Sequence, residues 1–249
     1  MGEVDRALVL AGSRGGVDPV AAYAGVANKA LIELAGRTLI ERVLSALREA
    51  GIERLAVSAS DPLVSDAAHR QGAQVLAAEA GPSLSARRGI EALGTPVLIT
   101  TADHALLRAE WIEAFIASAP RDADICVLLA RREVVEAAAP GTKRTYLRFA
   151  DGEWSGCNLF LVRTERGLAA IDLWRQVEAD RKKPWRIVRR LGAATLLRYG
   201  AGRLTLAEAI ARMGRLCGAR AAVVASPFGL AAVDVDKPAD LDLVRELTA

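Results

Sequence analysis

Only three cysteines occur in 249 residues, Cys126, Cys157 and Cys217. They are odd in number, far apart and free of any C-x-x-C spacing, so neither a disulfide framework nor a zinc site is expected. Such thiols fit a reducing cytoplasm, the expected location. Aromatic residues make up 4 % of the chain, too few for an aromatic-rich β-sandwich, and suit helices packed closely on a sheet. A strong excess of either charge is also missing. The 33 basic and 30 acidic residues leave a formal charge of +3, which argues against a dedicated nucleic-acid binder while leaving room for a local basic pocket. No stretch of 18 uncharged apolar residues is present to span a bilayer. Glu3, Asp5 and Arg6 precede the first apolar run, which is not the order of a signal peptide, so a soluble protein is expected. The G-x-G-x-x-G dinucleotide fingerprint and the G-x-x-x-x-G-K-[ST] phosphate loop are both missing, against a dehydrogenase or a P-loop enzyme.

What the chain does have is 52 % hydrophobic residues, drawn largely from alanine, valine and leucine. It has no internal repeat, low-complexity tract or long linker, so one folded domain over residues 1–249 is expected. Strand and helix patterns alternate. A strand around Ala7 to Leu10 precedes a helix from Thr38, its N-cap, with Leu39, Ile40, Val43, Leu44 and Leu47 on one face and Gly51 as its stop. Strands near Leu55 to Ala59, Gln74 to Ala77 and Val97 to Thr100 alternate with helices near Leu63 to Gln71 and Ser85 to Leu93. Such alternation implies right-handed crossovers and a mainly parallel sheet, with helices on both faces and ligands at the carboxyl ends of the strands. After a helix around Ala109 to Ala117 and a strand Asp124 to Leu129 the pattern changes. Tyr146 to Phe149, Asp151-Gly152 and Cys157 to Val162 read as a hairpin or an antiparallel excursion, a small inserted acceptor-side layer. Helices near Arg166 to Glu178 and Thr205 to Met213 follow, then strands at Ala221 to Ala225 and Ala231 to Val235, and a last helix from Pro238 to Leu247.

Three segments carry candidate chemistry. The first is Leu10-Ala11-Gly12-Ser13-Arg14-Gly15-Gly16, followed by Lys29: an apolar strand running into a glycine loop with cations beside it. Glycines permit close backbone approach, exposed N–H groups make an anion-binding concavity, and Arg14 or Lys29 is suited to neutralise charge on polyphosphate. An isolated loop of this kind is as readily an ordinary turn. The second is Thr101-Ala102-Asp103-His104-Ala105-Leu106, which sets a carboxylate just past a buried strand. Asp103 is suited to a hard divalent cation such as Mg²⁺, or to capping the next helix. The third is Asp234-Val235-Asp236-Lys237-Pro238-Ala239-Asp240. Alternation along a strand would put Asp234 and Asp236 on one face, with Asp236 as a second carboxylate for the metal, Asp234 a solvated or paired strand residue and Asp240 a capping acid.

In that order these segments resemble the nucleotidyltransferases of the GT-A-like fold, and most closely the MobA-like NTP transferase family. Its opening L-A-A-G-x-x-x-R-x-G, followed by P-K, is similar to Leu10-Ala11-Gly12 with Arg14, Gly15, Gly16 and Lys29. Its T-x-D-x-P-L is similar to Thr101 through Leu106, and its V-D/N-T-P-x-D-L to Val235 through Leu241. Gly36-Arg37-Thr38-Leu39 resembles the G-x-P-L that opens the first helix. In this sequence Asn28 and Ala105 stand where the family has proline, and the interval to Lys29 is long, spanning Val17 to Ala27.

The resemblance implies a single Rossmann-like, GT-A-like domain that moves a nucleotidyl group from an NTP, with CTP or GTP favoured, to a small phosphorylated acceptor and releases pyrophosphate. It implies Mg²⁺ held by Asp103 and Asp236, and charge stabilisation by Arg14 and Lys29. The triphosphate would lie on Leu10, Ala11, Gly12, Ser13, Gly15 and Gly16. Ser83 and Ser85 lie where the family contacts base or ribose, with helix capping as their other reading. Gly156 and Asn158 resemble the acceptor-side segment, and Lys143 and Arg144 are candidates for its phosphate. The basic run Arg181 to Arg190 reads as a solvated helix end, or as contact with an acceptor phosphate or an anionic membrane surface. A GT-A glycosyltransferase using Asp234-Val235-Asp236 as a D-x-D motif and a non-catalytic nucleotide-binding module remain open as alternatives.

Overall fold

The computed structural model describes residues 4–13, 16–179 and 192–248. Its centre is β1 (Arg6–Leu10), four of whose five residues are buried. On one side β1 pairs in parallel with β4 (Arg54–Ser58), which pairs in parallel with β5 (Gln74–Leu76). On the other side it pairs in parallel with β6 (Val97–Thr101). The chain therefore reverses its direction of growth between β1 and β6, and their adjacent carboxyl ends, at Leu10 and Thr101, open the crevice in which such sheets bind ligands. The sheet continues through β9 (Gly152–Val162), antiparallel to both β6 and β7 (Ile125–Arg131), and ends with β10 (Ala221–Ser226) parallel to β7.

Capping and amphipathic spacing fix the helices. In α2 (Leu39–Glu49), Thr38 and Glu41 form a reciprocal capping box, and Leu39, Ile40, Val43, Leu44 and Leu47 are buried. Each such side chain contributes about 1.5–3 kcal/mol of apolar burial. α2, α3 (Pro62–Arg70) and α5 (Ala109–Ser118) share the larger core on one face. α4 (Pro82–Leu93) and α7 (Leu168–Ala179) cover the other. α4 sits close to β1: a Cβ on Gly89 would lie 2.3 Å from Leu8 Cδ2, so a bare backbone is needed there. The remaining helices are α1 (Pro19–Ala24), α6 (Arg132–Ala138), α8 (Ala193–Gly200), α9 (Leu206–Leu216) and α10 (Pro238–Thr248). α1 occupies the long interval before Lys29, with Asp18 as its N-cap and Gly25 in the left-handed region as its stop. Neither α1, α6 nor α8 is expected from hydrophobic period, because such short pieces offer too few turns to show one.

The antiparallel excursion is present: β9 is inserted into the main sheet between β6 and β7, and β8 (Leu147–Phe149) pairs antiparallel with its first residues. A small separate sheet is formed by β2 (Glu33–Leu34) with β3 (Arg37–Thr38). One expectation is corrected. The strand expected at Ala231 to Val235 is absent, since Gly229–Ala232 forms a 3-10 turn. A short, small-residue apolar run does not distinguish these two states. Among the described residues, no helix is long and apolar enough to cross a membrane.

Candidate functional site

Lys29, Asp103 and Asp236 meet at the carboxyl ends of β1 and β6. Lys29 Nζ lies 2.6 Å from Asp103 Oδ2 and 3.4 Å from Asp236 Oδ1. The local structure explains how each arrives. Asn28 caps the 3-10 turn Lys29–Leu31 by accepting from Ala30 N at 3.0 Å, while its own Nδ2 donates to Asp61 Oδ2 at 3.3 Å. Asp61 in turn caps α3. The asparagine standing where the resembled motif has proline thus ties the lysine turn to a helix terminus.

Asp103 does not cap a helix, since α5 begins only at Ala109. It sits in a tight turn held to β1 by the bond from Ala102 N to Leu10 O at 3.0 Å. Its Oδ1 accepts from Thr101 Oγ1 at 2.5 Å, and its carbonyl accepts from Val235 N at 3.1 Å. That last bond joins the second and third motifs.

Asp234 and Asp236 leave the same side of an extended segment that has no strand ladder, with Val233 and Val235 fully buried on the other side. The alternation expected from sequence therefore survives without the strand. Asp240 accepts from Asp236 N at 3.1 Å and Lys237 N at 2.9 Å, satisfying donors at the entry of α10.

One oxygen from each of Asp103, Asp234 and Asp236 lies within 4.8 Å of the others. Hard carboxylate oxygens converging at a strand-end crevice suit Mg²⁺, and the side chain of Asp236, 57 % exposed, leaves the cluster open to a ligand. Against the three carboxylates stand Lys29 and Arg144. Burial lowers the basicity of Lys29, but Asp103 and Asp236 more than offset it and the net shift is upward, so this ammonium stays charged. His104 is fully enclosed beside Asp103. Burial pushes it down to about 4 although the Asp103 charge opposes the shift, leaving a neutral ring that packs against Trp111. It is a core residue rather than a proton carrier at neutral pH.

The described part of the glycine loop directly follows β1. Leu10 and Ala11 are buried, Gly12, Ser13 and Gly16 are exposed, and Gly16 has a φ of 86°. Arg14 and Gly15, like the basic run Arg181 to Arg190, lie outside the described residues. Ser83 and Ser85 are placed differently from expectation: they are buried in the first turns of α4, where Ser85 Oγ accepts from Glu79 N at 2.9 Å. α4 begins at Pro82, whose fixed φ suits the first helical position, and this draws both serines into the helix.

On the acceptor side, Lys143 and Gly156 are exposed. Arg144 and Asn158 are instead engaged. Arg144 Nη2 donates to Asp234 Oδ1 and its Nη1 to the Asp234 carbonyl at 3.1 Å, while Asn158 Nδ2 donates to Asp234 Oδ2 at 2.7 Å. Sequence reasoning left Asp234 outside the site. The D-x-D spacing was its one visible signal, and its partners lie 90 and 76 positions away. A groove of about 500 Å³ lined by Arg37, Arg42, Glu49, Arg108 and Glu110 flanks α2 and is separate from the carboxylates.

Residues 7–194 match the family model of the MobA-like NTP transferase domain. Among solved structures, a hypothetical transferase from Thermus thermophilus is 33 % identical, with a TM-score of 0.81 over 95 % of this chain and 98 % of that one. CTP:phosphocholine cytidylyltransferase from Streptococcus pneumoniae is 12 % identical, with a TM-score of 0.58 over 99 % of this chain and 100 % of that one. A 4-diphosphocytidyl-2C-methyl-D-erythritol synthase from Anaerococcus prevotii is 10 % identical, with a TM-score of 0.59 over 98 % of this chain and 95 % of that one. At such identities these two share the fold. No curated protein matches the chain in sequence.

Proposed function

The chain belongs to the MobA-like NTP transferase domain family, and from that premise we propose that it is a magnesium-dependent nucleotidyltransferase. It would transfer NMP from an NTP, CTP or GTP by preference, to the phosphate of a small acceptor such as a sugar, polyol or cofactor-precursor phosphate. The observation that carries the proposal is the convergence of Lys29, Asp103 and Asp236 beside the glycine loop. The cytidylyl transfers named for the pneumococcal and Anaerococcus proteins, which share this fold, favour CTP among the donors.

In the proposed reaction an acceptor phosphate oxygen attacks the α-phosphorus of the NTP, a P–O bond forms, and the bond to the β-phosphate breaks with pyrophosphate leaving. The acceptor phosphate is already an anion, so no covalent enzyme intermediate and no general base are required. The work of the residues is positioning and charge stabilisation. The glycine loop, Gly12, Ser13 and Gly16 among the described residues, presents backbone to the triphosphate, where Arg14 and Gly15 also belong by the motif. Lys29, held charged by its neighbours, offsets negative charge on the transferring and departing oxygens. Asp103 and Asp236 are the residues that would hold Mg²⁺. Bound there, the ion would supply electrostatic stabilisation to phosphate oxygens. Lys143 and Gly156 are the acceptor-side candidates that remain exposed.

The test is pyrophosphate release with each of the four common NTPs and Mg²⁺ against a panel of phosphorylated sugars, polyols and glycerol derivatives, with Asp103→Ala beside the wild type. Release for one NTP and acceptor pair, lost in the variant, is the expected result. Silence across the panel together with absence of NTP binding would overturn the reading.

A further inference from the structure

Arg144 has the residue type of a phosphate ligand but not the surroundings of one. Only 9 % of its side chain is exposed, and its guanidinium is turned inward from the loop before β8. It meets the third motif at three points: the Asp234 carboxylate, the Asp234 carbonyl and, at 3.8 Å, Asp240 Oδ1. The other oxygen of Asp240 already accepts the N–H groups of Asp236 and Lys237. Arg144 therefore touches both ends of the stretch from Asp234 to Asp240, from which Asp236 projects.

Asn158 makes the complementary contact from β9. The register of β9 against β7 shifts between Val127 and Leu129, and within that irregularity Asn158 adopts a φ of 50°. A bulge re-aims a side chain out of the ladder, and asparagine tolerates the left-handed region better than most residues. Here it sends the amide to Asp234 Oδ2. Both oxygens of Asp234 thus accept from protein donors on the acceptor side, one of them a cation.

We propose that Arg144 and Asn158 are positioning residues of the metal-holding carboxylates: they clamp Asp234, and through it and Asp240 they set Asp236 opposite Asp103. In this assignment Asp234 is the anchor of the clamp, and Asp103 and Asp236 are the ligands named in the proposed function. The inference rests on the metal reading of the proposed function. It assigns Arg144 and Asn158 away from the acceptor phosphate, which leaves Lys143 as the exposed cation of that loop.

The experiment is a titration of Mn²⁺ with CTP or GTP, without acceptor, read by water-proton relaxation enhancement on wild type, Arg144→Gln, Arg144→Lys and Asn158→Gly. Circular dichroism melting accompanies each variant. Glycine at 158 keeps the backbone conformation and removes only the amide, so it decides the question if Arg144→Gln does not fold. Loss of a direct outer partner of a metal ligand lowers metal affinity about 10-fold or more, and Arg144 and Asn158 act one residue further out. The expected result is a weakening of at most about that size in Arg144→Gln and Asn158→Gly, partial recovery in Arg144→Lys, and an unchanged acceptor KM in the pyrophosphate assay. Unchanged Mn²⁺ affinity with a raised acceptor KM overturns this inference and leaves the proposed function standing. Absence of bound Mn²⁺ in the wild type overturns both.

Discussion

Two buried or half-buried aspartate sites sit at opposite ends of the same sheet and are built on opposite terms. At the amino end of β7, Asp124 accepts from Thr164 Oγ1 at 2.6 Å and from Arg220 N at 2.8 Å. Its carbonyl takes Arg163 N and its own N–H goes to Arg220 O, each at 2.8 Å. Every strong hydrogen-bonding group of that residue has a protein partner. At the carboxyl ends of β1 and β6, three carboxylates crowd within 4.8 Å of one another, two cations face them, and Asp236 is more than half exposed. The first arrangement knits β7, β9 and β10 together. The second leaves like charges close and one of them open, an arrangement that favours binding over stability.

The difference is open to direct tests. The largest effect is expected from Asp103→Ala, which should lower kcat for pyrophosphate release by about 10³-fold or more, comparable to about 4 kcal/mol of transition-state stabilisation. Its melting temperature, followed by calorimetry, should fall less than that of Asp124→Ala, because relief of crowding among the carboxylates offsets the lost bonds to Lys29 and Thr101. A large drop in melting temperature would break the contrast. Lys29→Gln should cost about 10²-fold in kcat under the same assay, with NTP binding measured by calorimetry to separate lost affinity from lost turnover.

Asp124→Ala should do the reverse. Leaving the Arg220 N–H and Thr164 hydroxyl without their acceptor is expected to destabilise by about 2 kcal/mol in urea unfolding, with kcat unchanged. A loss of activity in the folded variant would show that the two ends are coupled.

The smallest effects are in the pH dependence of stability. The hydrogen bond from Thr164, followed by that from the Arg220 N–H, holds the Asp124 carboxyl below the ordinary carboxylate range. The folded state then binds fewer protons than the unfolded one as the unfolded carboxyl titrates. This contribution is complete above the unfolded pKa, about 4, and is lost as pH falls through the lower folded value. For Lys29 the net shift is upward despite burial. Its contribution is therefore complete below the unfolded pKa, about 10.5, and is lost as pH rises through the folded value. Denaturation midpoints should show a shallower acid limb in Asp124→Asn and a shallower alkaline limb in Lys29→Gln. The same acid limb in Asp124→Asn as in wild type would remove Asp124 from the account.

The alternating elements were legible because their signals are local. Thr38 three residues before Glu41, with an apolar stripe behind them, specifies α2, and the buried run Val97 to Thr100 specifies β6. Lys29, Asp103 and Asp236 were legible as an ordered set, since Lys29 comes after a glycine loop, Asp103 after a recognisable strand end, and Asp236 just before a proline-led helix. Ser83 and Ser85 were misplaced because α4 starts a few residues earlier than its apolar period shows. Asp234, Arg144 and Asn158 were not legible as one cluster. Nothing local in residues 144, 158 and 234 records that a bulge in β9 and an inward turn of one loop bring them together.

By itself the sequence determined the α/β class, the caps, the glycine loop and the residue types suited to the proposed polyphosphate and metal chemistry, because periodicity, capping and turn preferences act over a few residues. Only the tertiary structure decided that β9 wedges between β6 and β7, that the last extended segment joins no ladder, and that two acceptor-side candidates grip Asp234. Strand pairing and charge clustering depend on distances between residues far apart in the chain. Those distances are set by the packing of the whole sheet.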